Sequence, residues 1–185
     1  AVEEFTDAGY VFVGFDHFAR PDDELARALD EARVHRNFMG YTVMPASDQV
    51  GVGVTSIGDV AGAYVANRKK LAPFQQIVAE GRLPIERGLL RTAEDELRRA
   101  VINSIICNLE LEFGWIEERF QIDLQDHFGD ALSALDPMAA DGLAEIDKRG
   151  IRVTDRGRFF LRNICMPFDA YLNQTTGGPK YSRTV

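Results

Sequence analysis

The chain has 185 residues, of which 45% are hydrophobic and 27% are charged, a balance typical of a folded domain. A chain of this length buries roughly 70% of its unfolded surface, so one domain, or one and a part of another, is expected. The formal net charge of −8 disfavours nonspecific adhesion to nucleic acid or membrane surfaces. Because the sequence has no run of about 18 apolar residues, we expect no membrane span.

The charge is unevenly distributed along the sequence. From residue 147 to the end, eight basic residues stand against three acidic ones, whereas the preceding part is strongly acidic. This basic segment could face an anionic ligand, or it could dock on the acidic part of its own chain.

The first elements follow the order strand, polar residues, helix. Tyr10 to Gly14 form an apolar run that predicts a buried strand, and Asp16 and His17 follow it directly. A helix is expected to begin at Pro21, since proline fits the first helical position, and to run to about Val34. This order is typical of a βαβ unit, in which ligands bind beyond the carboxyl ends of the strands.

A second polar cluster, His35-Arg36-Asn37, follows the predicted helix and precedes a further predicted strand. Its side chains could bind an anion, or they could interact with the carbonyl groups at the C-terminus of that helix. Both interpretations are compatible with the sequence.

The segment 50–57 alternates valine and glycine and predicts another strand. Its valines fall on one face, and Gly51 and Gly53 fall on the other. Two glycines on one face suggest close approach by a backbone or a ligand, or relief of crowding against a packed helix.

The rest of the chain is predicted to be mostly helical. Helices are expected over 69–80, closed by Gly81, and after Thr92 and Asp123, where Thr92 and Asp95 resemble a capping box. Two strands over 143–147 and 151–154 predict a hairpin. A long amphipathic helix, kinked at Pro167, should then run from Thr154 to about Leu172, and the outline resembles a winged-helix unit.

Few residues have the spacing that catalytic or metal sites need. The two cysteines, Cys107 and Cys165, lie in apolar patterns and are expected to be buried free thiols, and the three histidines have no metal-binding spacing. Arg158 and Arg162 share one helical face, so they could bind carboxylates or form internal salt bridges.

Several segments in chain order resemble oxygen-independent coproporphyrinogen III oxidases of the radical S-adenosylmethionine family. These segments are DHFARPDDELARA, HRNFMGYT, GVGVTSI, LPIERG, VINSIICN, DGLAEI with IRVTDRGR, RNICMPFDAYL and YSRTV. They cover nearly the whole chain. Two departures lie near the implied cofactor, namely Met39 where the family often has glutamine and GVTSI where GVSAI is commoner.

The resemblance implies an α+β fold in two parts. Residues 1–68 would be the C-terminal end of the radical S-adenosylmethionine barrel, and residues 69–185 would be a mostly helical domain. The implied enzyme is cytoplasmic, acts in haem or tetrapyrrole synthesis, and converts coproporphyrinogen III into protoporphyrinogen IX by oxidative decarboxylation of two propionates. It uses S-adenosylmethionine and a [4Fe-4S] cluster. The CxxxCxxC loop that holds this cluster is absent from the chain, so we expect no catalytic residue, no metal site and no activity in the fragment alone.

The resemblance also implies ligand contacts. Ile57 matches a residue that touches S-adenosylmethionine, and Gly51 and Gly53 lie on the same predicted strand. For the four propionates of the substrate, the candidate residues are Arg158, Arg162 and His17.

The upstream barrel domain is the expected partner, and exposed strand edges could let the fragment self-associate. Two alternative functions remain: a non-catalytic haem carrier related to these oxidases, and a winged-helix module that binds nucleic acid or protein. The acidic composition disfavours nucleic-acid binding.

Overall fold

A computed structural model describes residues 1–172 of the chain. The sequence from Thr175 onward, TTGGPKYSRTV, predicts a loop, and this segment lies outside the described part. Its α-helices are α1 (Val2–Asp7), α2 (Glu24–Asp30), α3 (Leu71–Ala79), α4 (Ala93–Asn108), α5 (Phe113–Phe120), α6 (Leu124–Ser133), α7 (Asp136–Ala140) and α8 (Leu161–Cys165). Two short 3-10 helices cover Gly157–Phe160 and Met166–Phe168.

The strands form four small antiparallel sheets. They are β1 (Val11–Gly14), β2 (His17–Ala19), β3 (His35–Asn37), β4 (Gly40–Thr42), β5 (Ile57–Val60), β6 (Ala63–Asn67), β7 (Ile85–Leu90), β8 (Glu110–Glu112), β9 (Ala144–Asp147) and β10 (Gly150–Val153). The sheets have the orders β1-β2, β3-β4, β5-β6-β7 and β8-β10-β9. Helices with small antiparallel sheets confirm the α+β prediction.

The predicted βαβ arrangement of the first 42 residues is wrong. Among residues 1–172, β1 pairs with β2 rather than with a later parallel strand, because the chain reverses at Phe15, whose φ is 48°. The following helix, α2, begins after Asp23, whose carboxylate accepts a hydrogen bond from the Leu25 backbone N–H at 2.8 Å. A carboxylate cap therefore starts this helix, not Pro21.

The second hairpin, β3-β4, corrects one interpretation of the His35-Arg36-Asn37 cluster. These residues form β3, and α2 has already ended at Asp30. They do not interact with the carbonyl groups of the last helical turn, so that interpretation is wrong.

The valine-glycine segment is an irregular chain rather than a strand. Strand β5 begins at Ile57, and Val50 and Val52 are 75% and 89% exposed. The alternation of valine and glycine therefore does not correspond to a strand with one buried face. The sequence of residues 58–67 predicts a loop or a short helix, but these residues lie in the β5-β6 hairpin, which β7 extends.

The C-terminal part is organised around one apolar cluster. Its fully buried members come from α4, α5, α6, the sheet β8-β10-β9 and the final helical segment, and they include Ile105, Ile116, Leu124, Ile164 and Phe168. The predicted hairpin is confirmed as β9-β10, and β8 adds a third strand that the sequence did not suggest. The winged-helix outline stays a prediction.

The ends of several helices follow the local signals. Thr92 and Asp95 form the predicted capping box of α4, and Asp123 caps α6 by accepting a hydrogen bond from the Asp126 backbone N–H. Helix α3 ends just before Gly81, whose φ is 72°.

The prediction of one long final helix is wrong. The chain forms a 3-10 helix, then α8, then a second 3-10 helix that contains Pro167. Phe160 interrupts the helix with φ −115° and ψ 19°, and Pro167 lacks the N–H that a continuous helix needs.

The division between residues 68 and 69 stays a prediction; β6 and β7, which lie on either side of it, are paired. Among residues 1–172, no helix combines the length and apolar character needed to cross a membrane.

Candidate anion-binding site

A cavity of about 510 Å³ lies between the two N-terminal hairpins and the segment around α8. Its walls include His17, Arg158 and Arg162, the three residues predicted to contact substrate carboxylates. The structure thus brings together residues from opposite ends of the chain. We call this space the arginine cavity.

Arg158 is the most buried cation of the arginine cavity, with a side chain that is 18% exposed. Its Nη2 donates a hydrogen bond to the carbonyl of Phe12, and its guanidinium lies 4.9 Å from the centre of the Phe12 ring. The nearest carboxylate, on exposed Asp155, is 3.9 Å away. Burial lowers the pKa of Arg158, and its buried Nε has no hydrogen-bond partner among the described residues. The charge is therefore incompletely compensated and favours an anion nearby.

Two further guanidinium groups lie over one aromatic ring. Arg162 and Arg36 are each 5.2 Å from the centre of the Phe15 ring, and Arg36 is also 5.8 Å from the Tyr41 ring. Within residues 1–172 neither arginine forms an ion pair with a carboxylate. Aromatic faces attract cations while leaving their N–H edges available to a ligand.

His17 lies at the rim of the arginine cavity. Its Nδ1 is 2.9 Å from Asp16 Oδ1, but the contact lacks hydrogen-bond alignment, so this buried nitrogen has no partner in the described part of the chain. The imidazole ring packs edge-on against Tyr41, with ring centres 5.1 Å apart.

Tyr41 fastens the β3-β4 hairpin to α4. Its hydroxyl donates a 3.1 Å hydrogen bond to the carbonyl of Ile106, and burial, the largest cause, raises the pKa of Tyr41 so that it stays a neutral donor. Gly14 makes this packing possible, because a Cβ there would overlap the tyrosine hydroxyl. The position of Arg36 on the same hairpin is thereby fixed.

The predicted S-adenosylmethionine contacts lie outside the walls of the arginine cavity. Gly51 packs against the backbone of Ile57, since a Cβ at Gly51 would lie 2.8 Å from the Ile57 carbonyl oxygen. Gly53 has φ 97°, and its carbonyl accepts a 3.0 Å hydrogen bond from the Asn67 side chain. Local packing and backbone conformation thus explain why each position is glycine. Contact of Ile57, Gly51 and Gly53 with a ligand stays a prediction.

The residues of this chain do not fit an iron–sulfur cluster. Cys107 and Cys165 are free and buried, and burial, the largest cause, raises the pKa of each thiol to about 12. Cluster ligands are thiolates, whereas these groups are neutral at ordinary pH. Among residues 1–172, no group of three or more His, Cys, Asp or Glu side chains could hold a metal ion.

A buried ion-pair network was missed by the sequence analysis. Asp59 on β5 is 8% exposed, and its carboxylate accepts hydrogen bonds from Arg91 at 2.5 Å and Arg99 at 2.7 Å. Arg91 also pairs with Glu96 and lies 4.5 Å from the centre of the Tyr64 ring. Burial opposes the charge of Arg91, but the hydrogen bonds from Glu96 and Asp59 outweigh it and raise its pKa. The only sequence signal was an acid within an apolar segment.

A larger cavity of about 860 Å³ borders this network and lies between β3, α4 and α5. Arg36 and Phe38 line both cavities, so the β3-β4 hairpin separates them. Phe38 also meets Tyr64 edge-on, with ring centres 5.2 Å apart.

Comparison with known proteins agrees with this architecture. Residues 91–160 match the family described as the HemN C-terminal domain. A solved structure, described as coproporphyrinogen III oxidase (HemN) from Escherichia coli and as a radical SAM enzyme, superposes with a TM-score of 0.89 at 45% identity. The match covers 92% of this chain and 39% of that one.

Three relatives named oxygen-independent coproporphyrinogen III oxidase match nearly all of the chain. The protein of Salmonella typhimurium is 44% identical over 100% of this chain and 40% of its own length. That of Synechocystis is 40% identical over 100% of this chain and 40% of its own length. That of Helicobacter pylori is 41% identical over 96% of this chain and 38% of its own length.

The chain therefore spans about two fifths of the length of these relatives. Its residues 91–160 match the HemN C-terminal domain family, and the chain as a whole is similar to the C-terminal part of oxygen-independent coproporphyrinogen III oxidases.

Proposed function

We propose that the whole protein containing this chain is an oxygen-independent coproporphyrinogen III oxidase, and that the chain supplies part of the surface that binds the tetrapyrrole. The observation that carries this proposal is identity of 40% or more along the entire chain to relatives with that name. The arginine cavity supports it independently, because the substrate in their name is a carboxylated tetrapyrrole.

In this proposal Arg158 and Arg162 hold substrate carboxylates, and His17 contributes a polar contact at the rim. Arg158 has an unpartnered Nε, and Arg162 has no ion pair among the described residues, so both have N–H groups available. Hydrogen bonds between guanidinium and carboxylate groups are about twice as strong as neutral ones. The protein would thereby orient the tetrapyrrole and exclude water around the reacting arm.

S-adenosylmethionine and a [4Fe-4S] cluster would supply the radical chemistry when bound. Ile57, with Gly51 and Gly53 beside it, would offer an apolar edge of β5 to S-adenosylmethionine. The cluster ligands would lie upstream, since the two thiols of this chain are buried and neutral. The isolated chain should therefore be inactive, and the whole enzyme should reside in the cytoplasm.

The upstream part of the same protein is the proposed partner of the exposed sheet β5-β6-β7. Strand β7 is exposed along its whole length, and Leu83 and Leu90 near its ends are 79% and 74% exposed. Such an edge can pair with another chain. We expect the isolated chain to form dimers in light scattering and the whole protein to show less self-association; strictly monomeric behaviour of the isolated chain would reject this.

The function is tested with the whole protein, reconstituted with its cluster, by following conversion of coproporphyrinogen III to the divinyl product. We expect conversion that depends on S-adenosylmethionine, and a lower affinity for the substrate in Arg162→Gln. Tight haem binding without conversion would instead indicate a haem carrier. A salt-dependent shift of duplex DNA without conversion would indicate a winged-helix module.

A further inference from the structure

Arg36 is the third cation of the arginine cavity, and it lies on β3 of the hairpin that Tyr41 fastens to α4. It lies over the same Phe15 ring as Arg162, so their guanidinium carbons can be no farther apart than the sum of their two distances from that ring. Arg158 lines the same cavity. The three arginines come from β3, a 3-10 helix and α8, which only the tertiary structure brings together.

We propose that Arg36, Arg158 and Arg162 form one site that binds two carboxylates of a single tetrapyrrole at the same time, with Phe15 as its positioning residue. This inference rests on the proposed function and adds to it a third binding residue, a ligand charge and a position for the ligand. It places at least two acidic arms of the tetrapyrrole in the arginine cavity rather than in the larger one.

The charge balance of the cavity indicates two carboxylates. Three guanidinium groups line it against one acid, Asp16, whose side chain is 89% exposed and lies beside His17. Asp155 is fully exposed, and its Oδ1 lies 3.9 Å from Arg158 Nη1, so it compensates the charge of Arg158 only weakly. The cavity thus keeps a surplus close to two positive charges on a chain whose net charge is −8. A ligand with two carboxylates would relieve the repulsion among these arginines.

The backbone at Phe15 supports a positioning role for this ring. Its φ of 48° is uncommon for a bulky residue, and it directs the chain from β1 into β2 at the cavity wall. Strained backbone of this kind concentrates at ligand sites. By lying against both Arg36 and Arg162, the ring limits the conformations of two long side chains, so less entropy is lost when a carboxylate binds.

The test is a fluorescence titration of the whole protein with coproporphyrin III, the stable oxidised form with all four carboxylates. We expect Arg36→Gln to weaken binding roughly tenfold, the effect of one lost charge-assisted hydrogen bond, and Arg36→Lys to weaken it less. Coproporphyrin III tetramethyl ester, which carries no charge, should bind wild type and Arg36→Gln equally. Increasing salt should weaken binding of the free acid more in wild type than in Arg36→Gln.

Arg119 offers a matched control. Its guanidinium also lies over two rings, 5.2 Å from Trp115 and 5.5 Å from Phe120, but it lines the larger cavity and not the arginine cavity. Arg119→Gln should change the affinity for coproporphyrin III by less than about twofold.

Phe15 is tested through a readout specific to charge. Phe15→Leu keeps most of the apolar volume and should lower affinity for the free acid by about threefold while leaving affinity for the tetramethyl ester unchanged. Phe15→Tyr keeps the aromatic face and should therefore bind the free acid with an affinity close to that of wild type. An equal loss for acid and ester would mean that Phe15 only packs, and this would overturn its positioning role.

Three results separate the possible failures. Unchanged binding in Arg36→Gln, with weaker binding in Arg162→Gln, overturns the three-arginine site and leaves the proposed function intact. Equal losses in Arg36→Gln and Arg119→Gln place the tetrapyrrole in the larger cavity and overturn the site. A wild-type protein that neither binds coproporphyrin III nor converts coproporphyrinogen III defeats the proposed function itself.

Discussion

The helical part that contains the C-terminal core and the sheet β5-β6-β7 are held in place by different forces. The helical part has one continuous apolar cluster extending from Leu97 to Phe168. Within residues 1–172, the buried hydrophobic core has no member between Val34 and Leu97. The buried charged residue of this interval is Asp59. The sheet is therefore fastened to α4 mainly by ion pairs and aromatic contacts.

This difference separates a part that can stabilise itself from one that depends on its neighbours. Burial of apolar surface is additive and non-directional, so the helical core tolerates changes at its surface. A buried ion pair is sensitive to the loss of either partner, because the remaining charge is left uncompensated. Substitutions in the two parts should therefore differ in the free energy of unfolding that they cost and in how much of the chain they destabilise.

The largest effect is expected in the helical core. Phe168 is fully buried and packs edge-on against Phe128, with ring centres 5.5 Å apart. Phe168→Ala should lower the free energy of unfolding by about 3–5 kcal/mol, measured by urea denaturation. Leu90→Ala, in the exposed sheet edge, is the control and should cost less than about 0.5 kcal/mol. Comparable losses in both variants would remove the distinction between the two parts.

A smaller and more local effect is expected at Asp59. Asp59→Ala leaves Arg91, whose side chain is only 5% exposed, without one of its carboxylates. We expect a loss of about 2–4 kcal/mol. Amide hydrogen exchange should accelerate in β5, β6 and β7 while α4 to α8 stay protected. The double variant Asp59→Ala with Arg91→Met should recover part of the loss; uniform acceleration across the chain would show that the sheet is not a separate unit.

The smallest effect is expected at the start of α4, where the two parts meet. The backbone N–H of Thr92 donates a hydrogen bond to the Asp95 carboxylate at 2.8 Å, and this bond, the largest cause, lowers the pKa of Asp95 below its ordinary value of 3.8. Asp95→Asn should cost about 1 kcal/mol at neutral pH.

The pH dependence of stability gives a second readout of this cap. Because the pKa of Asp95 is lower in the folded state, its contribution is present above about pH 3.8 and is lost as pH falls through the lowered folded value. The stability of wild type and Asp95→Asn should therefore converge below pH 3.8. A difference in stability that stayed constant as the pH fell well below 3.8 would contradict the role of the charge.

Family motifs and local signals indicated much of the fold. Four local features appear where the sequence predicts them. They are the caps Thr92 and Asp123, the helix end before Gly81 and the hairpin 144–153. Each of these depends on groups that lie only a few residues apart. The two buried cysteines also agree with their apolar surroundings.

Other features depend on contacts between distant segments. The valines at 50 and 52 alternate as in a strand, but no core covers them, and they are exposed. The final helix has a helical apolar pattern, but Phe160 and Pro167 divide it where it packs against the core. Periodicity indicates which side chains could be buried together, but the packing partner decides whether they are.

The sequence by itself determined the family resemblance, the α+β class, the caps of α4 and α6, and three residues of the candidate site, namely His17, Arg158 and Arg162. Only the tertiary structure decided that these three residues would meet Arg36 in one cavity, and that Asp59 would hold the sheet to α4. The reason is physical: capping and turn preferences act over three or four residues, whereas these sites arise when separate elements pack together and their charges meet away from water.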